Sequence, residues 1–170
     1  MQLAERIRDL ALFDLAIDSK LRGCDLLALR VGDVAHGRSI LHRAIVLQRK
    51  TQRPVQFEIT DPTRAALAAW IERADLHNGD HLFSSRKNGS PHLSTRQYVR
   101  IVERWVLHRS GSSRVGTHTL RRTKATLIYK RTKNLRAVQL LLEHTKLEST
   151  VRYLGIEVDD ALEIAEQIEV

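Results

Sequence analysis

The stretch Ser39–Thr60, SILHRAIVLQRKTQRPVQFEIT, is where this sequence changes its period. On either side of it, apolar residues recur every three or four positions, the spacing of an amphipathic helix. Within it, the β-rich runs Ser39 to Gln48 and Val55 to Ile59 flank Gln52-Arg53-Pro54. The stretch is therefore predicted to be a small hairpin with Lys50 at its tip. One hairpin set among helices makes the fold class mostly α with a small antiparallel β-sheet, an α+β arrangement.

Working outward, Leu3 to Ile17 places Ile7, Leu10, Ala11, Phe13, Leu15 and Ile17 at helical spacing. Arg22 to Arg30 reads as a second, shorter helix carrying Leu26, Leu27 and Leu29. Beyond the hairpin, Asp61-Pro62 is a helix start, with Asp as the cap and Pro at the first helical position, and that helix is expected to end near Arg73. Leu82-Phe83 reads as a short extended piece before a loop at Lys87 to Pro91. A helix from about Ser94 to His108 exposes Arg96, Arg100 and Arg104 at four-residue spacing. After the Gly/Ser loop Ser110 to Gly116, helices are expected at about Thr117–Lys130, Leu135–Leu142, Thr150–Leu154 and Asp159–Ile168.

At 170 residues, 42% of them hydrophobic, the chain can bury a real core in a single domain. No apolar run approaches the roughly 20 residues of a membrane span, and the first ten residues are charged at once, so no signal peptide begins here. The lone Cys24 excludes an internal disulfide, suits a reducing cytoplasm and reads as a small helix residue. The formal charge is +8, and it is unevenly spread. From Leu154 onward there are six acids and no Lys or Arg, so the rest of the chain carries 28 basic and 14 acidic side chains, a net +14. Between Ser84 and Arg136, Lys and Arg face a single acid, Glu103. Such a concentration attracts polyanions, with nucleic acid the first candidate, although a solvated basic face has the same composition.

The chemistry-bearing patterns narrow the field. Eight histidines include no HExxH pair, and the Asn-Gly-Asp between His77 and His81 breaks the helix that a paired metal site would use. No GxxxxGK[ST], GxGxxG or GxSxG occurs. What remains is GTHTLRRTKAT, where His118 and Arg121 stand three apart and share one helix face. A near-neutral imidazole beside a forked cation can address one phosphate, but such pairs are also common on helix surfaces. Arg122 points about a quarter turn away, toward backbone phosphate or solvent.

Three further segments change that weight: SKLRGCDLLALRVGDV, with Arg22 just before a helix; QRKTQRPVQFEIT, with Lys50 on the hairpin; and LLLEHTKLESTVRYLG, with His144 nine residues before Tyr153. In this order they resemble the catalytic domain of the tyrosine recombinases, the phage-integrase family, over about Leu10 to Leu154. The resemblance implies a site-specific recombinase or integrase that cleaves and rejoins DNA without a cofactor or metal. Tyr153 would be the nucleophile forming a 3′-phosphotyrosyl link, conserving bond energy for resealing. A phenol ordinarily ionises near pH ~10, so His118 would accept its proton. Lys50 would be the general acid for the leaving 5′-oxygen. Arg22 and Arg121 would clamp the non-bridging oxygens, and His144 would add a hydrogen bond to the same phosphate. Arg49, Arg53, Arg96, Arg100, Arg122 and Lys124 are candidate DNA contacts.

The chain also departs from the family pattern. Lys20 stands where family members usually have Gly, Asp25 where they have Glu, Glu143 where Gly often precedes the second histidine, and Arg122 where His is common. Glu143 would favour an imidazolium at His144. The expected organisation is a catalytic domain over 1–154 and a tail helix over 155–170, with no core-binding domain ahead of it. The resemblance further implies double-stranded DNA as partner and self-association as a tetramer, the tail packing either in cis or on a neighbour. No membrane association is expected, and a cytoplasmic, nucleoid-associated location is. A non-catalytic DNA-binding accessory protein on the same fold is the competing expectation, and a type IB topoisomerase activity a third.

Overall fold

The computed structural model describes residues 2–85, 90–110, 117–142 and 144–156, with side chains described at 6–85, 90–105, 120–142 and 144–156. The expected tail helix, Glu143, and most of the loops at Lys87–Pro91 and Ser110–Gly116 lie outside these residues. The element order is α1 (Gln2–Ser19), α2 (Gly23–Ala28), α3 (Val31–Val34), β1 (Ala35–His36), β2 (Ser39–Ile40), β3 (Arg43–Leu47), β4 (Pro54–Glu58), α4 (Asp61–Arg73), α5 (Thr95–Ser110), α6 (Thr117–Thr132), α7 (Leu135–Leu142) and α8 (Leu147–Leu154). The fold is mostly helical with small antiparallel sheets. It divides into two compact units, Met1–Lys124 and Ala125–Val170.

In the first unit, α1 buries Ala11, Leu12, Leu15 and Ala16 and packs on α4, while Leu10, one of the residues expected on its apolar face, is 44% exposed. Leu26, Leu27, Phe57, Ile59, Leu67, Leu82, Phe83 and Tyr98 complete this core. Each such side chain contributes about 1.5–3 kcal/mol on burial. The Trp70 indole N–H donates to the Leu82 carbonyl at 2.7 Å, tying α4 to the piece after it, where Leu82-Phe83 is a turn and not the expected extended run. That piece is anchored by an isolated antiparallel bridge between Arg30 and His81. α5 starts with a reciprocal cap: Gln97 N–H donates to Ser94 Oγ at 3.2 Å, and Ser94 N–H to Gln97 Oε1 at 2.8 Å.

These details differ from the sequence expectation. The run Ser39 to Gln48 is not one strand: Ser39–Ile40 pairs back onto Ala35–His36, while Arg43–Leu47 pairs forward onto Pro54–Glu58. The turn at Gly37, with φ +59°, makes the first pairing possible, a left-handed conformation that glycine adopts without a Cβ penalty. Pro54 opens β4 instead of lying in the turn; proline has no N–H to give, and the first position of a strand tolerates it. At α4 the cap position belongs to Thr60, not Asp61: Thr60 is extended and its carbonyl accepts the Arg64 N–H at 2.8 Å, while its hydroxyl and N–H bind the Asp18 carboxylate at 2.6 and 2.9 Å. α8 starts three residues earlier than expected.

The second unit packs α7 on α8 around Ala125, Val138, Leu142 and Leu154, with Ile128, Tyr129, Leu135, Tyr153 and Ile156 against them. α8 ends at Gly155, whose φ of +68° and ψ of +42° form the left-handed cap that frees the chain from the helix.

Candidate active site

Arg22 is the N-cap of α2, with extended backbone, and its carbonyl accepts the N–H groups of Asp25 and Leu26, both at 2.9 Å. The preceding Lys20 has φ +54°, which explains why a glycine would be at home there. Lys20 tolerates that conformation while buried because its ammonium is bound: to the Asp18 carbonyl at 2.6 Å and to Glu58 Oε1 and Oε2 at 3.2 and 3.3 Å. Gly23 lies against α5, where a Cβ would sit in ordinary contact with the Tyr98 ring, at 3.4 and 3.5 Å.

The Arg22 guanidinium turns to the hairpin, where its Nη1 donates to Gln48 Oε1 at 2.7 Å. Gln48 is buried, and the same oxygen accepts the Thr51 hydroxyl at 2.7 Å. Gln48 also starts the hairpin turn, accepting Gln52 N–H and donating to Arg53 O, both at 2.9 Å. Asp25, also buried, takes the Arg49 N–H on Oδ1 at 3.0 Å, while its Oδ2 has no hydrogen-bond partner among the described residues. Two bonds thus hold the Arg22 helix start to the foot of the turn carrying Lys50. Lys50 is exposed at that turn, and Arg49 and Arg53 beside it are exposed as well. An ammonium on a short turn with a fixed base is a mobile proton donor on a located pivot. Nothing in the sequence marked Gln48, because its value lies in a contact 26 positions away.

On α6, Arg121 is buried and Arg122 exposed. His118 lies in the first turn of that helix, and its side chain is outside the described residues. Lys124 places its ammonium between two carboxylates, 2.5 Å from Asp18 Oδ1 and 2.6 Å from Glu58 Oε1. Burial opposes its charge, but hydrogen bonds to Asp18 and Glu58 outweigh that and hold the group above the ordinary lysine range. Arg96, Arg100 and Arg104 are exposed along α5, a basic row at four-residue spacing.

In the second unit the structure places His144 and Tyr153 together. Their rings meet edge to face, with centroids 5.4 Å apart and planes at 80°. His144 sits in the α7–α8 turn, pinned by buried Gln139: the backbone N–H of His144 donates to Gln139 O at 3.1 Å, and Gln139 Nε2 donates to His144 O at 3.0 Å. Its Nδ1 lies 3.1 Å from the hydroxyl of fully buried Thr150, which fixes the ring's direction. Tyr153 is half-buried one turn later on the same helix as Thr150. Gln139 and Thr150 escaped the sequence reading; each looks like an ordinary polar helix residue until the turn folds back. Among the described residues no cluster of three or more His, Cys, Asp or Glu could hold a metal ion, and no helix is long and apolar enough to cross a membrane.

The Phage integrase family matches residues 1–158. A probable integrase/recombinase of Bacillus subtilis, YoeC, is 32% identical over 152 residues, which is 89% of this chain and 80% of that protein. Tyrosine recombinase XerC of Neisseria gonorrhoeae is 30% identical over 154 residues, 90% of this chain and 48% of the relative. The chain thus spans about half the length of the XerC relatives. The XerH recombinase in its pre-cleavage complex with difH superposes with a TM-score of 0.76 at 22% identity over 97% of this chain and 48% of that one. XerA recombinase gives 0.73 at 21% over 96% of this chain and 62% of that one, and at such identities both show the shared fold. The chain belongs to the phage integrase family, the tyrosine recombinases, enzymes that transfer DNA strands.

Proposed function

We propose that this chain is the catalytic part of a site-specific recombinase, acting on double-stranded DNA through a phosphotyrosyl intermediate at Tyr153. Tyr153 Oη attacks a phosphodiester, its bond to phosphorus forms as the bond to the 5′-oxygen breaks, and the reverse reaction by another 5′-hydroxyl reseals the strand. His118 accepts the phenolic proton, and Lys50 donates one to the leaving 5′-oxygen. Arg22 and Arg121 stabilise the charge growing on the non-bridging oxygens, and His144 adds a hydrogen bond there. The observation that carries this reading is the anchoring of Arg22 by Gln48 and of the Lys50 turn by Asp25, which pre-sets a clamp and an acid on two different elements. The exposed arginines of α5, with Arg49, Arg53 and Arg122, supply a phosphate-binding surface of the right sign. On DNA the chain works with further copies of itself, since strand exchange needs more than one nucleophile.

The test incubates the full chain with a pool of nicked suicide duplexes of randomised central sequence and resolves protein–DNA adducts under denaturing conditions. An adduct formed by the wild type and lost in Tyr153→Phe, with unchanged duplex binding, is the expected result. An adduct that persists in Tyr153→Phe overturns the assignment of the nucleophile. Duplex binding with no adduct from the wild type favours the non-catalytic DNA-binding alternative.

A further inference from the structure

Three segments of the first unit converge on one ammonium group. Lys124 stands on α6, three residues after Arg121 and six after His118. Asp18 lies at the end of α1, four residues before Arg22. Glu58 closes β4, the strand that returns from the Lys50 turn. Lys124 Nζ reaches both carboxylates, at 2.5 and 2.6 Å.

The surroundings make this a built junction. Asp18 Oδ2 accepts three further bonds: Thr60 N–H at 2.9 Å, Thr60 Oγ1 at 2.6 Å and Thr63 Oγ1 at 2.5 Å. Lys20, with its side chain 1% exposed, binds Glu58 as well. Two carboxylates and two ammoniums balance, so the cluster carries no net charge into the interior. Burial works against the ionised carboxyls of Asp18 and Glu58, yet hydrogen bonds from Lys124 and its neighbours hold both below the ordinary carboxylate range.

We propose that Lys124 is a positioning residue for strand cleavage: by gripping Asp18 and Glu58 on one ammonium, it sets α6 and Arg121 against the Arg22 helix start and the Lys50 hairpin. The inference rests on the recombinase reading and adds to it a residue that never touches the phosphate. Lys124 was also a candidate DNA contact, and the two roles separate cleanly. A phosphate-contacting lysine contributes about one counterion to the salt dependence of binding and nothing to the rate at saturation. A positioning lysine leaves the salt slope alone and lowers the rate, since a misplacement of about 1 Å costs about 10²-fold.

The test uses the full chain, the randomised suicide-duplex pool as cleavage probe, and an unnicked duplex as binding probe. Lys124→Met keeps the stem and removes the charge; Lys124→Arg keeps the charge. The expected result is adduct formation about 10²-fold slower in Lys124→Met at saturating DNA, with duplex Kd and salt slope unchanged and most of the rate restored in Lys124→Arg. A wild-type rate in Lys124→Met overturns the proposal, as does weakened binding with a salt slope reduced by about one. If the wild type itself forms no adduct, the recombinase reading fails, and amide exchange then judges the junction by itself. Faster exchange at Val55–Thr60 in Lys124→Met supports it, and unchanged exchange overturns it. Should Lys124→Met not fold, Lys124→Met/Glu58→Gln removes the excess carboxylate and is judged by the same readings.

Discussion

Gln48→Met is the sharpest structural perturbation, because methionine keeps the volume and deletes the acceptor. Gln48 Oε1 accepts Arg22 Nη1 and Thr51 Oγ1, both at 2.7 Å. A hydrogen bond from a charged donor contributes about 1.5–3 kcal/mol, and with Arg22 only half-buried water recovers part of it, so the lower figure applies. Thr51 is exposed and adds a few tenths. The expected loss is about 1.5–2 kcal/mol, or a fall in Tm of about 3–8 °C for a chain of this size. Urea unfolding followed by tryptophan fluorescence measures it, since Trp70 and Trp105, the two tryptophans, both lie in the unit that holds Gln48. A double-mutant cycle with Arg22→Met isolates the pair, with an expected coupling of about 1 kcal/mol. Gln48→Glu, which keeps an acceptor, is expected to retain stability while weakening the phosphate clamp by neutralising Arg22. A coupling below about 0.3 kcal/mol would refute the claim that Gln48 anchors Arg22.

Other perturbations follow from single contacts. Asp14 is held above the ordinary carboxylate range by burial first and by the Asp18 charge second, so its ionisation opposes folding as pH rises through and above its unfolded value of 3.8. Asp14→Asn is therefore expected to stabilise by about 0.2–0.5 kcal/mol at pH 7 and by nothing near pH 3, where both states are protonated; a gain of equal size at both pH values sinks the argument. A Cβ on Gly32 would lie 2.7 Å from Asn78 Oδ1 and 3.2 Å from the Asn78 carbonyl. The side chain can swing away but the carbonyl cannot, because it accepts the Gly32 N–H at 3.0 Å, so Gly32→Ala should cost about 1–2 kcal/mol in urea unfolding. Gly155→Ala forces a Cβ into a left-handed cap and should cost about 1–2 kcal/mol, read as reduced thermal stability; an unchanged melt would show that the cap adapts.

Sequence by itself determined the helical ladder, the hairpin and the ordered set from Arg22 to Tyr153. Burial periodicity is written along the chain, so α1 could be read from residues such as Ala11 and Leu15 and their spacing, and α4 from its Asp61-Pro62 start. Residue type and order carried the family resemblance in the same way. Only the tertiary structure decided what each polar side chain binds. The break between Ser39–Ile40 and Arg43–Leu47 depends on which strand each run meets, and β propensity is silent on that. Thr60 looked like the residue before a cap, and folding turned its hydroxyl to Asp18, 42 positions upstream. Lys124 looked like one more surface cation in a basic stretch, and Asp18, 106 positions away, took its ammonium. A hydrogen bond has a range of about 3 Å and no memory of sequence distance, so its partner is fixed only when the backbone has already brought the two groups together.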